Sequence, residues 1–330
     1  MSGPERETPS LWSDAVLLED VLGFGERAEA LASLISEAQT PLSVGVFAPS
    51  GGGKTTFLDL REAALSKRPG IAKVARLNAP HQPGGDLAVG LARTVASALS
   101  ELGPSGEDLE GLEAMLSSGD WGEIKRAMGD ALRRRLGGGR LCVLMDDIHL
   151  ASPEGLSGLL MAVTEWLALP GLVFVVAADL DVLTRLLEEH QRRVAGDLPG
   201  PAIAARARAV LDKLVQLSLS LPSMGRDEVA KLWGRLAPGA SPDLVLAAAS
   251  QPGMNVRRLK QLANQFRLVS EMAARAGLGV ELGALLKLLV LRSFWEDVWR
   301  VVSTYSGERP SPFSVLQDVA LGRASLEVAS

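Results

Sequence analysis

At 330 residues the chain has the length of about two domains at roughly 150 residues each, enough to bury a full hydrophobic core. A composition of 47% hydrophobic and 22% charged residues excludes a disordered chain, and 34 basic against 39 acidic side chains leave a formal charge of −5, so no overall cationic field invites nucleic acid or anionic lipid. One cysteine, Cys142, and three histidines exclude an internal disulfide and a zinc-ligand cluster.

Residues 1–13 are polar and carry prolines, which predicts a flexible arm. The opening MSGPERETPSLWSDA has acids and a proline where a signal peptide needs a basic start and an unbroken apolar stretch, so a cytoplasmic protein is expected. Ala15 to Ile35 shows helical spacing around the turn Leu22-Gly23-Phe24-Gly25. Leu42 to Phe47 reads as a strand, Lys54 to Ser66 as a helix and Ile71 to Leu77 as a second strand. Asp86 to Leu102 and Asp108 to Leu136 read as helices separated by Gly103-Pro104-Ser105-Gly106.

Arg140 to Met145 is a third strand, Pro153 to Leu167 a helix capped by Ser152, and Leu172 to Ala177 a fourth strand. The apolar window from Leu156 to Val176 is divided by Glu165 and Pro170-Gly171, short of the ~20 continuous apolar residues of a membrane span. Leu214 to Leu221 is a fifth strand, and Asp227 to Leu236, Asp243 to Ala249, Asn255 to Ala276 and Glu281 to Val302 are helices. Strands alternating with helices predict an α/β fold: a parallel five-stranded sheet sandwiched by helices, followed by an all-α domain. The expected organisation is an arm over 1–13, an α/β domain over 14–222, a helical domain over 223–305 and a tail over 306–330.

Ala48-Pro49-Ser50-Gly51-Gly52-Gly53-Lys54-Thr55 joins the first strand to the first following helix, the place a phosphate-cradling loop requires. Consecutive glycines let backbone N–H groups turn toward phosphate oxygens, and the helix offers the positive end of its dipole to the same anion. Pro49 to Thr56 are therefore the expected nucleotide contacts: Pro49, Ser50, Gly51, Gly52, Gly53, Lys54, Thr55 and Thr56, with Lys54 on the terminal phosphates and Thr55 on magnesium. Ala48 stands at the first position of the G-x-x-x-x-G-K-[ST] pattern, where it is small enough for close approach.

The third strand ends in Asp146-Asp147, at the C-terminal edge where open α/β sheets bind ligands. Asp146 is the expected second magnesium ligand and Asp147 the group that orients or deprotonates the attacking water, although its side chain is one methylene shorter than glutamate. Cys142, inside the apolar run, reads as a small core residue.

With these motifs placed, the chain resembles the KAP family of P-loop NTPases from about Ser13 to Val302. Gln39 to Phe47 leads into the phosphate loop, Arg76-Leu77-Asn78-Ala79 resembles F-N-A-W, and Asp146-Asp147-Ile148-His149-Leu150 sits where the family has D-D-L-D-R. Val173 to Asp179 resembles the fourth strand with its sensor aspartate, Leu211 to Gln216 resembles L-E-K-I-V-Q, and Asn255 to Lys260 resembles N-P-R-x-L-K. His149 and Leu150 replace an Asp-Arg pair, Leu180 an arginine and Pro80 a tryptophan. The family's inserted transmembrane helices have no counterpart between Phe57 and Gly139.

The resemblance implies Asp179 as a polar sensor and Arg257 and Arg258 as arginines that approach the nucleotide from the helical domain. The basic cluster Arg133-Arg134-Arg135, and Arg192-Arg193 and Arg206 with Arg208, read as solvated helix surface, and Trp295 and Trp299 as core anchors of the last helix. The expected function is an ATP-binding, slowly ATP-hydrolysing switch or assembly factor that uses Mg2+ and engages a protein partner through its helical domain, with nucleotide-dependent self-association as one form of output. ATP is expected over GTP because no N-K-x-D signature follows the loop. The alternatives are a hydrolysis-deficient ATP-binding scaffold and a small-molecule phosphotransferase.

Overall fold

A computed structural model describes residues 11–13, 20, 22–78, 86–103, 111–196, 198–249, 251 and 253–303. Expectations for 1–10, for Ala79 and Pro80, for the start of the helix placed at Asp108 and for the tail lie outside these residues. The chain divides into two units, Val16–Ser223 and Met1–Ala15 with Met224–Ser330.

In the first unit the strands are β1 (Leu42–Phe47), β2 (Ile71–Asn78), β3 (Arg140–Asp146), β4 (Leu172–Ala178) and β5 (Leu217–Ser220). They form one sheet in the order β2-β3-β4-β1-β5, and every pair is parallel. In β3, Leu141, Val143 and Met145 join one hydrophobic cluster and Cys142 and Leu144 the other. In β4, Leu172, Phe174 and Val176 face the first cluster and Val173, Val175 and Ala177 the second. Successive strand residues point to opposite faces, so an uninterrupted apolar run marks a strand covered on both sides. Each fully buried aliphatic side chain here contributes about 1.5–3 kcal/mol relative to exposure.

Helices α1 (Gly25–Glu37) and α2 (Lys54–Leu65) cover one face. The other carries α3 (Leu87–Ser100), α4 (Leu112–Ser118), α5 (Trp121–Leu136), α6 (Pro153–Met161), α7 (Leu180–Ala195) and α8 (Gly200–Leu214). The sheet thus lies between two helical layers, as expected.

Several element boundaries differ from the sequence expectation. The helix expected to run to Leu136 is two helices, because Gly119 ends α4 at φ 72 and the Asp120 carboxylate caps α5 by accepting from Glu123 N–H. The helix opened by Ser152 continues after Met161 as a π-turn, Ala162–Trp166, which brings Trp166 onto Trp121 with centroids 4.1 Å apart. The fifth strand is shorter, since α8 extends to Leu214 and only Leu217 to Ser220 pair with β1.

The second unit holds α9 (Arg226–Leu236), α10 (Asp243–Ala247), α11 (Val256–Arg275), α12 (Leu282–Phe294) and α13 (Glu296–Ser303). Trp233 is fully buried and packs on Phe266 at 6.3 Å. Trp12 is tied to α11 in both directions: its N–H donates to Asn264 Oδ1 at 2.7 Å and its carbonyl accepts from Asn264 Nδ2 at 2.7 Å. The expected helix from Glu281 to Val302 breaks at Trp295, whose φ of −135° and ψ of 68° leave the helical region, and Trp295 and Trp299 are half-buried instead of anchoring a core.

Candidate phosphate-binding site

The site is built at the C-terminal ends of β1, β3 and β4. The β1 ladder continues into the loop, where Ala48 N–H donates to Ala178 O at 3.2 Å. Gly52 N–H then bonds Pro49 O at 3.0 Å, closing a tight turn. Gly53 starts α2 at φ 88, and a Cβ there would stand 2.8 Å from the Phe24 ring and 2.9 Å from Leu22 Cδ1. Only glycine meets both demands. Phe24 and Leu22 were legible in the sequence solely as part of a turn; their role as the wall behind the loop carries no local signature.

Lys54, in the first turn of α2, is buried and folds back on the loop. Its Nζ donates to Ala48 O at 3.0 Å and to Pro49 O at 3.2 Å. Its neighbour Thr55 stands beside the buried carboxylate of Asp146 at the end of β3. Burial raises the pKa of Asp146, and the charge of Asp147 raises it further, against the Thr55 hydrogen bond and the charge of Arg76.

Asp147 has φ 54 and ψ 31, making it the one non-glycine residue at positive φ among the described residues. Such a conformation costs of order 1–3 kcal/mol and collects at functional sites. Its own carbonyl accepts from Leu150 N–H at 2.9 Å, and its N–H donates to Asp146 Oδ1 at 3.0 Å. The backbone turn sends the two adjacent carboxylates to different surroundings, Asp146 buried and Asp147 partly exposed.

Asp179 follows β4 and caps α7, accepting from Asp181 N–H at 3.2 Å and Val182 N–H at 3.3 Å through Oδ1. Its Oδ2 accepts from Ser50 N–H at 3.2 Å. Because β4 lies between β1 and β3, this residue stands between the phosphate loop and the acidic strand end. His149, on the 3-10 turn Ile148–Leu150, is buried, and Nε2 lies 4.0 Å from Asp147 Oδ1.

The structure therefore gathers Pro49 to Thr56, Asp146, Asp147 and Asp179 at one end of the sheet. Arg257 and Arg258 belong to the second unit, in the first turn of α11, where Asn255 caps the helix and the Arg258 guanidinium lies 5.2 Å from the Phe294 ring centroid. The other arginine clusters are helix surface: Arg133 pairs with Asp130, Arg135 donates to Leu99 O at 2.8 Å, and Arg193 pairs with Glu154 and Glu189.

Residues 92–237 match the family model described as the KAP family P-loop domain. Over that span the chain is similar to the KAP family P-loop domain. The KAP match takes in β3, β4 and β5, with Asp146, Asp147 and Asp179, and starts downstream of the phosphate loop. No curated protein is significantly similar to the chain. Among solved structures, the Aeropyrum pernix ORC2 protein in its ADP form is 18% identical with a TM-score of 0.48, covering 90% of this chain and 74% of that one. The same protein in ADPNP-ADP complexes is 16% identical with a TM-score of 0.48, covering 87% and 71%. A mutant of Thermotoga maritima RuvB is 14% identical with a TM-score of 0.42, covering 96% and 86%. Among the described residues, no helix is long and apolar enough to cross a membrane.

Proposed function

We propose that this chain, similar to the KAP family P-loop domain over residues 92–237, binds ATP with Mg2+ and hydrolyses it slowly, acting in the cytoplasm as a nucleotide-dependent switch or assembly factor. The observation that carries this reading is the placement of Thr55, in the first turn of α2, beside the buried carboxylate of Asp146 at the end of β3. A hydroxyl and a carboxylate form the hard oxygen donor set that Mg2+ takes alongside water and phosphate oxygens. When bound, Mg2+ supplies charge neutralisation on the phosphate oxygens.

On this reading Lys54 exchanges the carbonyls of Ala48 and Pro49 for the terminal phosphates, and the backbone N–H groups of Gly51 and of Gly53 to Thr56 cradle the anion at the start of α2. Asp147 accepts a proton from the water whose oxygen bonds the γ-phosphorus as the bond from that phosphorus to the β–γ bridging oxygen breaks and ADP leaves. Asp179 keeps the loop in shape through Ser50. Arg257 and Arg258 are proposed as the groups that answer the γ-phosphate, and a protein partner of the helical unit, or a second copy of the chain, as the recipient of the signal.

The short reach of Asp147 favours a second reading, a scaffold that holds ATP without turnover. Calorimetry with ATP in the presence and absence of Mg2+, paired with steady-state phosphate release, separates the two. Mg2+-dependent binding with release abolished by Lys54→Ala and by Asp147→Asn supports the enzyme. Binding without release supports the scaffold, and absence of binding rejects both.

A further inference from the structure

The strained turn that carries Asp147 also carries a histidine whose two ring nitrogens have different surroundings. His149 is 8% exposed, and its Nδ1 is sealed from solvent without a hydrogen-bond partner. Nε2 points the other way, 4.0 Å from Asp147 Oδ1. The ring is held there by the turn itself, through Leu150 N–H to Asp147 O at 2.9 Å and Ala151 N–H to Ile148 O at 3.2 Å.

A neutral imidazole carries its proton on one nitrogen. An N–H at Nδ1 would be a buried orphan donor, the costlier defect, whereas a bare lone pair there forfeits less. Protonation of both nitrogens is opposed by burial and by the ammonium of Lys54, which outweigh the nearby carboxylates of Asp147, Asp179 and Asp146 and lower the pKa of the ring.

We propose that His149 is the positioning residue of Asp147: a neutral imidazole in its Nε2–H tautomer, whose N–H turns the Asp147 carboxylate toward the attacking water. The inference deepens the hydrolytic reading above and rests on it. The 4.0 Å separation lies about 1 Å outside hydrogen-bond range, and the positioning role requires the half-exposed Asp147 side chain to rotate toward the ring. The Nε2 proton stays on the ring throughout, while the proton of the water goes to Asp147. This tautomer has no lone pair facing the site, so His149 itself is not the base.

The test uses the full chain, labelled with 15N and observed at the imidazole nitrogens with and without Mg-ADP. Only three histidines are present, and the His149 signals are those lost in His149→Gln. The expected pattern is a neutral ring protonated at Nε2; a ring protonated at Nδ1 overturns the proposal. A misplacement of about 1 Å costs up to about 100-fold, so His149→Ala is expected to lower kcat by at least about 10-fold with KM held within about twofold. His149→Gln, whose amide N–H sits near the Nε2 position, recovers most of the loss, and His149→Asn, which reaches only the Nδ1 position, does not. Equal defects in Gln and Ala, or a KM change that accounts for the loss, overturn the proposal. A wild-type chain that binds nucleotide without turnover ends the hydrolytic reading and the positioning role with it, and the 15N pattern then still decides the tautomer.

Discussion

The backbone N–H of Ser50 donates to Asp179 Oδ2 at 3.2 Å, linking the phosphate loop to the end of a strand 129 residues away. The same carboxylate caps α7 through its other oxygen. One side chain therefore fixes both the start of a helix and the shape of the loop. Asp179→Ala is expected to cost about 0.5–2 kcal/mol in urea unfolding, the usual worth of an N-cap, and to speed amide exchange at Ser50. Asp179→Asn keeps an acceptor for the cap and loses far less. Unchanged exchange at Ser50 in the alanine variant would show that the loop holds its shape alone.

Gly53 tests the loop from its other side. Alanine at φ 88 carries a left-handed penalty of about 1–2 kcal/mol, and its Cβ meets the Phe24 ring and Leu22 at under 3.0 Å. Gly53→Ala is expected to lower the melting temperature and to abolish binding of a fluorescent ATP analogue. A variant that binds normally would mean that this wall is not fixed.

Asp146 and His149 predict opposite pH effects on stability. The folded pKa of Asp146 is raised, so between the ordinary carboxylate value of about 3.9 and the raised value the folded state holds the extra proton, and stability falls as pH rises through that window. Asp146→Asn should therefore melt higher than wild type at pH 7 while losing the Mg2+ dependence of nucleotide binding. His149 has a lowered pKa, so the unfolded chain protonates first, and stability falls as pH drops below about 6.5. His149→Gln removes that acid-side loss. Melting curves from pH 4 to 8 read both slopes, and a lower melting temperature for Asp146→Asn at pH 7 contradicts the first.

Arg61 on α2 is fully buried, and its three guanidinium nitrogens are sealed without hydrogen-bond partners. Burial lowers its pKa to about 9, with the Cys142 thiol as the nearby titratable group. The thiol is itself pushed up to about 12 by burial, which leaves it protonated and inert. An apolar side chain of similar length removes the desolvation cost, so Arg61→Met is expected to gain about 1–4 kcal/mol in chemical denaturation. A loss of stability would point to a counter-group that Arg61 serves.

What could be read in the chain and what could not divide along physical lines. The uninterrupted apolar runs of β3 and β4, the glycine loop before α2 and the paired aspartates at the end of β3 are local patterns, each set by neighbours in sequence, and they located the fold class and most of the candidate site. The helix break at Gly119-Asp120 was equally local, a left-handed glycine before an N-cap, and could have been found from those two residues.

The sequence by itself determined which segments are strands, where a glycine-rich loop joins a strand to a helix and which carboxylates end a strand, because backbone preference and side-chain chemistry act over a few residues. Only the tertiary structure decided that β4 lies between β1 and β3, that Asp179 consequently holds Ser50, that Phe24 walls off Gly53 and that His149 presents Nε2 to Asp147. Those relations depend on strand order and on contacts between segments far apart in the chain, and local preference carries no record of either.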